Sequence, residues 1–106
     1  MSTMSTSEAV FAEAAAGVAT AAVSAIATNR YAVTIREVTG SGSVAFTVQS
    51  YVGDAYETLY ESDGSTAQTM TLGSEQTLIV DGRLKNIKAT STDSPLPAFT
   101  LAVARA

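Results

Sequence analysis

The chain has 106 residues, with 6 Lys and Arg against 10 Asp and Glu and a formal net charge of −4; that length fits one domain and no second independent core. His, Cys and Trp are absent, which excludes Cys/His zinc sites, Ser-His or Cys-His nucleophile pairs and a disulfide framework. The acidic balance argues against a nucleic-acid binder, which needs clustered Lys and Arg to displace counterions.

Residues 1–8 contain no basic side chain, and the first positive charge is Arg30, so no signal peptide is expected. Residues 10–27 are long and mostly apolar. They include Glu13, Thr20 and Ser24, however, and are dominated by Ala, which inserts weakly, so no membrane span is expected.

Residues 8–29 hold ten Ala, one Gly and no Pro, a composition that predicts an α-helix. Ser5 and Glu8 are spaced as a capping box, and Asn29 is a plausible left-handed stop. On a helix, Glu13, Gly17, Thr20, Ser24 and Thr28 form one narrow polar stripe. Phe11, Ala15, Val18, Ala22 and Ala25 line one apolar side, and Ala12, Ala16, Ala19, Val23 and Ile26 another. A helix that is apolar over most of its circumference needs cover on several sides. The expected oligomer or partner interface is therefore Phe11, Ala15, Val18, Ala22, Val23 and Ile26.

From Tyr31 the hydrophobic period changes to two. Tyr31, Val33 and Ile35 alternate with Ala32, Thr34 and Arg36; after Gly40-Ser41-Gly42-Ser43, Val44, Phe46 and Val48 alternate with Ala45, Thr47 and Gln49, which reads as a hairpin. Residues 55–61 follow, with Tyr56, Thr58 and Tyr60 on one face, and Ser62-Asp63-Gly64-Ser65 turns the chain. Residues 68–72 and 76–80 read as strands, and Asp81-Gly82 as a hairpin turn into 83–90. A loop over 91–97 leads to a last strand over 98–104. The expected fold is mainly β: a small antiparallel β-sandwich of about seven strands over 30–106, preceded by an N-terminal arm, 1–29, with one Ala-rich helix.

Chemistry is sparse. Asp63-Gly64 lacks the ligand spacing of a calcium loop and reads as an Asx-turn. Glu57 and Glu61 share a strand face but have no evident cleft for paired-carboxylate work. Arg83, Lys85 and Lys88 read as a solvated edge. Tyr51, Tyr56 and Tyr60 read as core, as a ligand platform or as an intersubunit face. No catalytic residue, cofactor or metal ligand is expected.

The runs 31–38, Gly40-Ser41-Gly42-Ser43, 44–48, Glu61-Ser62-Asp63-Gly64-Ser65, Val80-Asp81-Gly82-Arg83 and Leu101-Ala102-Val103 together resemble the small β-sandwich virion proteins of tailed bacteriophages, of the capsid cement or decoration type or from the neck and tail. The resemblance implies a non-enzymatic structural protein, located in the virion and assembled in the host cytoplasm. It also implies a homo-oligomer, a trimer by preference, that contacts the major capsid protein or another virion protein. The 12 serines and 15 threonines, with only 15% charged residues, agree with a surface made to be covered. The alternative is a carbohydrate- or receptor-binding module that uses Tyr51, Tyr56 and Tyr60.

Overall fold

The computed structural model describes residues 9–24, 26, 28–51, 53–72 and 77–106, without the side chains of residues 37–39. Nine strands are described: β1 (Val10–Ala14), β2 (Val18–Ala22), β3 (Arg30–Thr39), β4 (Ser43–Ser50), β5 (Glu57–Thr58), β6 (Thr69–Thr71), β7 (Thr77–Asp81), β8 (Leu84–Thr90) and β9 (Ala98–Arg105). All pair antiparallel in two sheets. The first has the order β1-β9-β3-β7; the second runs β2-β8-β4-β5, with β6 also on β4.

The helix expected over 8–29 is replaced by strands in the described residues. β1 pairs β9 from Val10 opposite Val103 to Ala14 opposite Phe99. β2 pairs β8 from Val18 opposite Thr90 to Ala22 opposite Asn86. Alanine's helix preference amounts to only about 0.7 kcal/mol or less over most residues, and two complete edge pairings with buried inner faces outweigh it. The burial of β2 alternates strictly, with Ala19 and Ala21 inside. Between the two strands the chain turns a corner at Gly17, which has φ +76°. Its carbonyl accepts from Ser91 N at 2.7 Å, and a Cβ there would lie 3.0 Å from the Leu96 side chain. One N-terminal stretch thus supplies an edge to each sheet and belongs to the sandwich. The capping pair Ser5 and Glu8, and Ala25, lie outside the described residues.

The seven strands read from residue 31 onward are all present as β3 to β9, but two pairings differ from the local expectation. β3 and β4 lie in different sheets, and so do β7 and β8. The turns at 40–43 and at Asp81-Gly82 therefore carry the chain across the sandwich and do not close hairpins. Turn residues fix where a chain reverses and leave its pairing partner to the core.

β5 and β6 both pair with β4, Thr58 opposite Thr47 and Thr69 opposite Ala45. They are one edge strand interrupted by an excursion, which the Tyr60–Ala67 bridge closes. Counted as one, they leave eight strands, in the sheet orders 1-8-3-6 and 2-7-4-5. This is the double Greek key of a jelly roll.

The core between the sheets is continuous. Tyr31, Val33, Phe99, Leu101 and Val103 face it from the first sheet, and Val44, Phe46, Ile87 and Ala89 from the second. Each large side chain there contributes about 1.5–3 kcal/mol of burial. Val23 and Ile26 join the same core, at 0% and 3% exposure.

Candidate functional surfaces

The residues that alternate with this core make the outer faces. On the first sheet, register places Phe11 opposite Ala102, Ala102 opposite Thr34 and Thr34 opposite Thr77. The neighbouring row runs from Ala104 through Ala32 to Ile79. The two rows carry no charge. Phe11 is 60% exposed and Ile79 46%, on the two edge strands, with low Ala and Thr side chains between them. Ala9, Phe11, Ala32, Thr34, Thr77 and Ala102 line a shallow groove across this face, with Arg36 also in its lining. Charge sits at its ends. Arg36 lies 5.7 Å over the Phe11 ring, in the register row Glu13–Thr100–Arg36, and the exposed Arg30–Asp81 pair, 3.1 Å apart, marks the other end.

The outer face of the second sheet is polar. Thr20, Lys88, Thr47 and Thr58 form one row. Lys88 sits 4.2 Å over the Tyr56 ring, and Asn86 donates from Nδ2 to Gln49 Oε1. Lys88 is not on a solvated edge as expected: β8 is flanked by β2 and β4, so its neighbours are hydroxyls and an aromatic ring.

The six residues expected to form a helical seam are dispersed. Phe11 projects from the first sheet, whereas Val18 (46% exposed) and Ala22 share register rows with the outer face of the second. Ala15 is exposed at the corner, and Val23 and Ile26 are committed to the chain's own core. A strand period of two sends to opposite faces what a helical period would have gathered. Nothing local in the sequence marks the other apolar residues of the first sheet's outer face, Ile79 and the alanines of β3 and β9. Ile79 sits in the run Leu78-Ile79-Val80, which looks uniformly like core.

The three tyrosines are also separated. Tyr56 is half-buried against Lys88, and Tyr60, 51% exposed, closes the excursion. Tyr51, 56% exposed, opens onto a cavity of about 470 Å³ lined also by Ser24, Ile26, Asn29, Tyr31 and Arg83. The Tyr31 hydroxyl donates to Thr28 O at 3.2 Å, which stiffens the wall.

Within the excursion, Asp63 forms the expected Asx-turn. Its carboxylate accepts from Ser65 N and Thr66 N at 2.8 Å each, and from Thr66 Oγ1. These donors favour the charged form, the Thr66 hydroxyl most, and lower the pKa to about 2. Glu57 and Glu61 are both exposed. Among the described residues no cluster of three acidic side chains could hold a metal, and no helix is long and apolar enough to cross a membrane.

Compared with protein-family models, curated proteins and solved structures, the chain matches none.

Proposed function

We propose that this chain is a non-enzymatic structural protein of a tailed-bacteriophage virion, of the capsid cement or decoration type. The observation that carries the reading is the Ala- and Thr-paved middle of the first sheet's outer face, two register rows without charge, with Phe11 and Ile79 standing exposed on the two edge strands. Low side chains allow a second protein surface to approach the sheet closely, and burying them desolvates no ion. A jelly roll is an architecture that viral capsid domains use, which adds analogy and no more.

In mechanism, copies of the chain cover this face in a homo-oligomer, a trimer by preference. The oligomer then sits across junctions between capsid subunits. Several weak contacts per assembly act at high effective concentration and hold neighbouring subunits together. Whatever binds only the assembled shell stabilises it by mass action.

The test is the solution mass of the full chain and of Phe11→Asp, by light scattering on a sizing column. The expected result is a defined oligomer that falls to a folded monomer in the variant. A wild-type monomer, or an oligomer indifferent to Phe11→Asp, overturns the reading.

A further inference from the structure

We propose that the cavity under Tyr51 is a binding site for an acidic sugar residue, one that carries a carboxylate on a pyranose ring. The site is independent of the assembly reading. At about 470 Å³, it falls within the roughly 300–1,000 Å³ range of small-molecule sites. Its composition is what an acidic sugar requires. Tyr51 is 56% exposed and lines the cavity, so its ring offers an apolar face with a polar tip to a ligand. The C–H groups on one face of a pyranose pack on such a ring. Ile26 and Tyr31, at 3% and 1% exposure, back the cavity.

Three of the polar side chains that line it are unspent. Among the described residues, no hydrogen bond or ion pair engages the Ser24 hydroxyl, the Asn29 side-chain amide or the Arg83 guanidinium. Arg30 close by is already matched by Asp81, whereas Arg83 has no carboxylate partner among the described residues. That asymmetry selects an anion, and the planar fork of a guanidinium suits a carboxylate held by two parallel hydrogen bonds. Ser24 and Asn29 offer both donors and acceptors to sugar hydroxyls. Thr28 is excluded from this role, because its hydroxyl already bonds the backbone of Arg30. A bare carboxylate would use Arg83 and leave Tyr51 idle; a neutral sugar would use Tyr51 and leave Arg83 idle.

The experiment is a nuclear magnetic resonance titration of the full chain with D-glucuronate, D-glucose and acetate in turn. Glucuronate is expected to shift signals of Asn29, Tyr51 and Arg83 and to bind at least about tenfold tighter than either other probe. Arg83→Gln should erase its advantage over glucose, and Tyr51→Ala its advantage over acetate, with the dispersion of a folded spectrum kept in both. Acetate binding as well as glucuronate would reduce the site to an anion hole and overturn the proposal. Equal binding of glucose, shifts confined to another face, or no shift with glucuronate would overturn it as well.

Discussion

The carboxylate of Asp93 occupies the space that a side chain at Gly42 would need. Gly42 has φ +119°, and Asp93 Oδ2 accepts from Ser43 N at 2.7 Å and from Ser91 Oγ at 3.0 Å. One acidic side chain thus pins the β3–β4 crossing to the loop that leads into β9.

From this pinning, Gly42→Ala should cost about 2–3 kcal/mol, since it combines a left-handed backbone with eviction of the carboxylate. Asp93→Ala should cost about 1.5–3 kcal/mol through the charge-assisted bonds it removes. The two costs should not add. In an Asp93→Ala background the carboxylate clash is gone and only the Cβ contact at 3.0 Å remains, so Gly42→Ala should cost less than it does in the wild type. Urea denaturation of the four proteins reads the coupling, and strict additivity would contradict it.

The N-terminal strands make a sharper forecast about neighbouring residues. Ala21 is 3% exposed and faces the core, whereas Ala22 is exposed on the opposite side of β2. Ala21→Asp buries an unpaired carboxylate and should cost at least about 3 kcal/mol or prevent folding. Ala22→Asp should change stability by about 0.5 kcal/mol or less. Similar losses in the two variants, measured by the same denaturation, would contradict the strand assignment.

The same pair explains why this segment was illegible. Alternation can be read only where inward and outward residues differ, and in β2 three of the five residues, Ala19, Ala21 and Ala22, are alanine regardless of side. Only Val18 and Thr20 distinguish the outer face, while the pooled alanines raise helix propensity. Gly17, which the helical reading sets in the polar stripe, is the contrary sign: a turn residue in the middle of the expected helix. By contrast Tyr31, Val33 and Ile35 differ from Ala32, Thr34 and Arg36, so β3 and the strands after it were plain. What no local pattern carries is which strands pair. β9 enters between β1 and β3 across nearly the whole chain, and the candidate docking face exists only once Ala102 and Ala104 have been brought beside Ala32 and Thr34. The cavity under Tyr51 depends likewise on bringing Arg83 to Tyr51 and Ser24.

The excursion between β5 and β6 should respond to acid late. Because folding lowers the pKa of Asp63 to about 2, the stabilisation it gives the loop is fully present above the ordinary aspartate value. It is lost as pH falls through that lowered value. Following the amide signals of Ser65 and Thr66 against pH should show a joint transition near the lowered value. In Asp63→Asn that transition should vanish. A transition at the ordinary aspartate pKa would mean that the carboxylate is not held by these donors.

The most direct test of the assembly reading uses the absence of cysteine from the chain. A single thiol introduced as Ile79→Cys lies on the proposed contact face, and one introduced as Thr69→Cys lies on the other sheet. The measurement is the rate at which each reacts with a maleimide, in the otherwise native chain and in the Phe11→Asp background. The expected result is slow labelling at position 79 that speeds up several-fold when Phe11→Asp dissociates the assembly, with position 69 fast in both. Labelling at position 79 that is equally fast in both backgrounds would contradict a covered first-sheet face.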